Sequence, residues 1–130
     1  MSELKERIRK TIETEDVVLF MKGTPARIMC GNSSRALEAL RSVGAPVTVV
    51  DVLPDPAIRT ELSALSNWPT IPQVFVRGEL VGGADIVQEL AETGELREKL
   101  ESSLGEGWQE ARAERVVELA APPRPLHLAP

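Results

Sequence analysis

Leu4, Ile8 and Ile12 recur at every fourth position in an otherwise charged stretch. That spacing predicts an amphipathic helix over the first dozen or so residues. Val17-Val18-Leu19-Phe20-Met21 is a continuous apolar run, short enough to predict a strand buried on both faces. After the short loop Lys22-Gly23-Thr24-Pro25, the positions Ala36, Leu37, Ala39 and Leu40 return to helical spacing. They predict a helix from Gly31 to about Val43, with Gly44 as its stop. Pro46-Val47-Thr48-Val49-Val50-Asp51-Val52 is rich in β-branched residues and predicts a second buried strand. Leu53-Pro54-Asp55-Pro56 is a loop in which Asp55 can cap a helix and Pro56 suits its first turn. Ile58, Leu62 and Leu65 give that helix its apolar stripe. Trp68-Pro69-Thr70-Ile71-Pro72 leads into a third strand, Gln73-Val74-Phe75-Val76, and Arg77-Gly78-Glu79 turns the chain into a fourth at Leu80-Val81. Gly82-Gly83-Ala84-Asp85 opens a further helix carrying Ile86, Val87 and Leu90, which Gly94 interrupts and Glu95 to Leu100 continues.

The predicted order is αβαβαββα. Its first two strands, joined by a helix, form a βαβ unit and should run parallel with a right-handed crossover. The expected architecture is therefore α/β, a mixed four-stranded sheet flanked by helices in the thioredoxin-like arrangement. Residues 1–103 account for this domain. Residues 104–130 form an extension, with a possible helix over 108–120 and then a Pro-rich tail.

Composition narrows the partners. A chain of 130 residues suits one core, and a net charge of −5 argues against a nucleic-acid binder. Aromatic residues are only 3% of the chain, with no tyrosine, which leaves little to stack on unpaired bases. No apolar run approaches the roughly 20 residues of a membrane span. The N-terminal stretch Met1-Ser2-Glu3-Leu4-Lys5-Glu6 lacks a signal-like core, so a cytoplasmic protein without membrane association is expected.

The chain has one cysteine, Cys30, and one histidine, His127. One sulfur cannot form a disulfide within its own chain or build a zinc site of several cysteines, so its chemistry requires a second molecule. Cys30 falls between a predicted strand and the start of a predicted helix, where free N–H groups and the helix dipole favour a thiolate. Ser33 stands where a dithiol redox protein would carry its resolving cysteine, and it can equally serve as a first-turn residue. Pro72 cannot donate to the sheet, and a cis Ile71-Pro72 bond would turn the Ile71 backbone outward to pair with an extended peptide beside Cys30. Gly83 lets a ligand approach the backbone, and the following helix start offers N–H groups to a carboxylate. Asp85 can pair with an ammonium group or simply cap the helix. Lys22 and Arg59 are ordinary surface charges unless the fold brings them to Cys30.

Lys22-Gly23-Thr24-Pro25, Cys30-Gly31-Asn32-Ser33, Trp68-Pro69-Thr70-Ile71-Pro72-Gln73 and Gly82-Gly83-Ala84-Asp85 together resemble the motifs of the monothiol glutaredoxins of the Cys-Gly-Phe-Ser class. The likeness runs from about Ser2 to about Leu100, with all four motifs in register. It implies glutathione as ligand and a [2Fe–2S] cluster shared between two subunits, whose four thiolates come from two chains and two glutathiones. Cys30 would be both the redox-active thiol and the cluster ligand. Lys22 and Arg59 would hold the glycyl carboxylate, Ile71 the peptide backbone, and Ala84 and Asp85 the γ-glutamyl end, with Thr70, Pro72 and Gly83 lining the groove. The implied function is cluster assembly, storage or transfer by a cluster-bound homodimer, with BolA-type proteins and iron–sulfur acceptor proteins as partners. The alternative is a glutathione-dependent thiol-disulfide oxidoreductase acting on mixed disulfides. Two positions depart from the pattern. Asn32 replaces the phenylalanine, putting a polar group beside Cys30 and shifting the balance towards thiol chemistry. Ile28 stands where a proline is common.

Overall fold

The computed structural model describes residues 2–110 and 114–119. Ser2 caps α1 (Glu3–Thr14), its hydroxyl accepting the Lys5 N–H at 3.0 Å, and Glu3 and Glu6 place negative charge in the first turn. β1 (Val17–Met21) is buried along its whole length, which is why its sequence shows no alternation. Next comes a small antiparallel pair, β2 (Gly23–Thr24) and β3 (Arg27–Ile28), where the sequence predicts only loop. The connecting Pro25-Ala26 explains it, since proline presets the φ of a tight turn. Then follow α2 (Gly31–Ser42), β4 (Val47–Asp51), α3 (Pro56–Ser66), β5 (Gln73–Val76), β6 (Glu79–Gly82), α4 (Ala84–Thr93) and α5 (Glu95–Leu104). A 3₁₀ turn at Trp108–Glu110 and a short strand, β7 (Arg115–Val116), complete the described elements.

The main sheet has the order β6-β5-β1-β4-β7. β1 pairs in parallel with β4, from Val17 opposite Val47 to Met21 opposite Asp51, and antiparallel with β5 on its other side. The four expected strands thus build the thioredoxin-like mixed sheet, and α2 is the parallel crossover. One sheet face, through Leu19, Met21, Val49 and Val74, packs on Leu37 and Leu40 of α2, Val87 of α4, and Leu96 and Leu100 of α5. The opposite face, through Val18, Phe20, Val50 and Phe75, packs on Ile8 of α1 and on Ile58 and Leu62 of α3. There Phe20 and Phe75 meet edge to face at 5.7 Å.

The extension departs from expectation. The described residues of 108–120 do not form the predicted helix: Arg115–Val116 is a strand, paired in parallel with Thr48 and Val49 of β4, so among the described residues the sheet has five strands. Gly105 and Gly107, both at positive φ, interrupt helical geometry before Trp108. Val116 and Val117 are β-branched and meet the unpaired edge of β4, where the Val117 N–H donates to the Val49 carbonyl at 2.9 Å. Residues 111–113 and the Pro-rich stretch 120–130, including His127, lie outside the described residues. Trp108 is buried in the layer of α2, α4 and α5, whereas Leu119 is buried in the layer of α1 and α3. With β7 along the edge of β4, the described residues 114–119 form a strap over that side of the sheet.

Two ion pairs hold the strap, Arg115 with Glu15 and Arg41 with Glu114. The guanidinium hydrogen bonds hold both carboxyls below the usual glutamate range, and partial burial opposes them. A depressed carboxyl pKa contributes stability that is complete above the unfolded value of about 4.3 and is lost as pH falls through the folded one. Protection of the Val117 amide against hydrogen exchange, corrected for intrinsic rate, should therefore fall as pH drops below the ordinary glutamate value of about 4.3. Trp108→Ala should cost about 3 kcal/mol in urea unfolding, since it empties a buried indole site on one side of the strap.

Candidate functional site

Cys30 sits at the N-cap of α2, in extended backbone, just beyond the β2–β3 hairpin. That hairpin is held by two devices. Gly23, at φ 100°, lies so close to the returning strand that a Cβ there would stand 2.3 Å from the Arg27 carbonyl oxygen, so only glycine fits. Asp51, at the end of β4, accepts the Gly23 N–H and the Leu53 N–H through the same oxygen, each at 2.9 Å. The Met29 N–H donates to the Lys22 carbonyl at 3.0 Å and closes the loop directly before the cysteine.

Ser33 is fully buried, and its hydroxyl accepts the Lys22 N–H at 3.0 Å. It is the third residue of α2 rather than its cap; the cap position belongs to Cys30. The thiol makes no capping hydrogen bond of ordinary geometry. It nevertheless stands within reach of groups that favour its anion. The Ser33 N–H does most to hold the Cys30 pKa below the ordinary thiol value, against the opposing effect of burial. The Ser33 hydroxyl, the Asn32 N–H and the Lys22 charge add to it.

Beside the start of α2 lies a cleft of about 310 Å³ that brings Thr70, Ile71, Pro72, Gly83, Ala84 and Asp85 together. Asn32 and Arg35 of α2 also line it, and Asn32 stands two residues after Cys30. The Ile71-Pro72 bond is cis. The preceding loop is organised by Gln73, a fully buried side chain whose amide donates to the Trp68 carbonyl at 3.0 Å and the Thr70 carbonyl at 3.2 Å. The two walls meet closely at Gly83, where a Cβ would lie 3.3 Å from the Pro72 carbonyl oxygen. Gly83 also caps α4 without a side chain, so the first N–H groups of that helix remain available to a ligand.

The remaining residues divide. Lys22 is tied through its backbone to Ser33, and its charge acts on Cys30. Arg59 stands exposed on α3, outside the lining of the cleft. Asp85 is not the cap of α4. It lies in the first turn and pairs with Arg35 of α2 at 2.7 Å. Sequence reasoning missed Arg35, Asp51 and the organising role of Gln73. A signal for Arg35 existed only in part: Asn32 and Arg35 are three apart and share a helix face, but Asp85 lies 50 residues away.

The rate of Cys30 alkylation by iodoacetamide should rise with a midpoint below the free-thiol value of about 8.5. Ser33→Ala should move that midpoint up. Lys22→Gln should move it in the same direction by less. Wild-type alkylation with an unshifted midpoint would contradict this account of the site.

Residues 17–81 match the glutaredoxin family model. A Synechocystis protein described as an uncharacterised monothiol glutaredoxin is 47% identical over 102 residues, covering 78% of this chain and 95% of its own length. Glutaredoxin 4 of Escherichia coli K12 is 44% identical over 103 residues, covering 79% of this chain and 90% of that protein. Among solved structures, reduced apo GrxS14 of poplar superposes with a TM-score of 0.69 at 40% identity, over 78% of this chain and 93% of the other. With this fold, this extent of identity and a single N-cap thiol beside a cis-proline cleft, the chain belongs to the glutaredoxin family.

Proposed function

We propose that the chain is a monothiol glutaredoxin of the Cys-Gly-Phe-Ser class, with Asn32 in the phenylalanine position. It binds glutathione and, as a homodimer, holds a bridging [2Fe–2S] cluster for assembly, storage or transfer. The observation that carries this reading is the cleft itself: a groove walled by Thr70, Ile71, Gly83 and the uncapped start of α4, and lined also by Asn32, two residues from the activated thiol of Cys30. The 47% identity to a monothiol relative supports it. In this reading glutathione lies extended along the cleft, with its cysteine beside Cys30. The Ile71 backbone pairs with the peptide, and the Ala84 N–H and Asp85 take the γ-glutamyl end. Lys22 and Arg59 attract the glycyl carboxylate, Lys22 being the nearer candidate because its charge already acts on Cys30.

The donor set fits a shared cluster. Among the described residues no group of three or more His, Cys, Asp or Glu gathers to hold a metal. One thiolate per chain supplies half of the four that such a cluster takes when two subunits combine, and two glutathione thiolates supply the rest. When bound, the cluster would provide a transferable iron–sulfur unit. What this chain contributes is the ionised thiol, the groove that holds the second thiol next to it, and the polar neighbour Asn32. Acceptor proteins and BolA-type proteins in the cytoplasm are the partners this reading names.

Anaerobic reconstitution with iron, sulfide and glutathione should give visible charge-transfer absorption and a dimer that reverts to monomer when glutathione is removed. Cys30→Ser should remain colourless. A colourless wild-type monomer that takes up no iron would overturn the cluster reading. Asn32→Phe should retain its colour longer than wild type in air, because an apolar ring excludes water where the amide admits it.

A second reading draws on the ionised Cys30 and the polar Asn32 beside it. The thiolate attacks the glutathione sulfur of a mixed disulfide, the substrate thiol leaves, and a Cys30–glutathione disulfide forms. A second glutathione thiolate then attacks that glutathione sulfur, releasing glutathione disulfide and the Cys30 thiolate. Turnover of a glutathionylated peptide by wild type, lost in Cys30→Ser, is the expected result. Turnover at the uncatalysed rate would reject it.

A further inference from the structure

Gln73 is fully buried at the start of β5, opposite Phe20 of β1, and is not among the residues that line the cleft. Both hydrogen bonds that its side-chain amide donates return to the loop before it, to the Trp68 carbonyl at 3.0 Å and the Thr70 carbonyl at 3.2 Å. Its own oxygen Oε1 is buried without a partner. An unpaired buried acceptor is costly, and an apolar side chain of the same length would avoid that cost. The two carbonyls it holds belong to a loop whose Pro69 and Thr70 are exposed, so water could serve them instead. Packing alone therefore does not call for a glutamine at this position. What the side chain supplies is direction.

The direction follows from peptide geometry. The cis bond is Ile71-Pro72, and the Thr70-Ile71 bond before it is trans. In a trans peptide the C=O and the N–H point opposite ways. Drawing the Thr70 oxygen onto the buried amide thus turns the Ile71 N–H away from the core. Thr70 and Ile71 both line the cleft, and among the described residues the Ile71 N–H has no hydrogen-bond partner. Pro69 and Pro72 on either side have no N–H to offer. Ile71 is only 6% exposed, and a backbone donor so placed needs an acceptor. A carbonyl arriving with a ligand in the cleft supplies one.

We propose that Gln73 is the positioning residue of the cleft: by holding the Trp68 and Thr70 carbonyls inward, it aims the Ile71 N–H at a carbonyl of the bound peptide. It touches no ligand and acts only through Ile71. The inference rests on the glutathione reading and deepens it, because it names the buried side chain that sets the affinity. Thiol ionisation lies outside its reach, since the groups that favour the Cys30 anion are those of Ser33, Asn32 and Lys22.

The test is a glutathione titration of the full chain followed by backbone amide NMR. Wild type is compared with Gln73→Met, which keeps the length of the side chain and loses both donors. In wild type, glutathione should move the Ile71 amide proton downfield and slow its exchange with solvent. Gln73→Met should bind about fivefold more weakly, as expected for about one hydrogen bond, and its Ile71 amide should gain no protection. Its Cys30 alkylation midpoint should stay at the wild-type value. Gln73→Glu provides the rescue: burial raises the introduced carboxyl's pKa, and protonation restores one donor. Its affinity, relative to wild type at the same pH, should recover from about pH 8 to about pH 5.

Wild-type affinity and a protected Ile71 amide in Gln73→Met would overturn the proposal and leave the glutathione reading standing. So would a wild type in which the Gly83 and Ala84 amides respond to glutathione and Ile71 does not. Weaker binding in Gln73→Met that comes with a lower thermal midpoint and a shifted Cys30 midpoint would assign Gln73 to the fold alone, and overturns it too. No response to glutathione at any cleft residue of wild type would overturn both.

Discussion

Pairing β1 with β4 in parallel obliges the chain to travel from the end of one strand back to the start of the other, and α2 makes that crossing. The N-terminus of α2 must then stand at the end of the sheet where β1 finishes. The carboxyl end of β4 is there too, and Asp51 uses its side chain to grip the loop that precedes the cysteine. Because β5 lies antiparallel on the other side of β1, the loop that enters β5 arrives at this same end. Cys30, the cis Ile71-Pro72 step and the start of α4 are thus neighbours through strand direction, although they are scattered over more than 50 residues of chain. The thiol's activation follows from the same geometry, since only a helix start offers it the Ser33 and Asn32 N–H groups together.

Elements whose signal is local were legible in the sequence. The four-residue spacing in α1, the apolar run of β1, the valines of β4 and the Asp55-Pro56 start of α3 each state their own structure, and each formed as expected. The motif residues Thr70, Ile71, Pro72, Gly83, Ala84 and Asp85 share one cleft. What escaped was relational. Asp51 looks like the polar end of a strand, and only the folded loop shows two N–H groups meeting one of its oxygens. Gln73 resembles any strand residue until its amide is found holding two carbonyls of the preceding loop.

The extension shows the limit of periodicity most clearly. Trp108, Val116, Val117 and Leu119 carry apolar side chains at spacings that a helix could use, yet the β4 edge offers a row of backbone groups that a helix would leave unpaired. A strand satisfies them and also lets Trp108 and Leu119 enter opposite layers of the core, which no single helix face could do. The relatives align with about four fifths of the chain. The strap covers an exposed edge and is fastened by Glu15 and Arg41, which belong to the body of the domain.

Asn32 acts twice at the site. Its N–H helps stabilise the Cys30 thiolate, while its side-chain oxygen accepts from Arg35. A phenylalanine at this position would keep the first role, because the N–H belongs to the backbone, and would abolish the second. The substitution therefore leaves the electrostatics of the sulfur largely in place and changes what lies beside it: an exposed apolar ring gives way to an amide that orders a guanidinium. On this chain one residue both sets the polarity next to the thiol and orders the Arg35 guanidinium, so the two cannot vary independently at position 32.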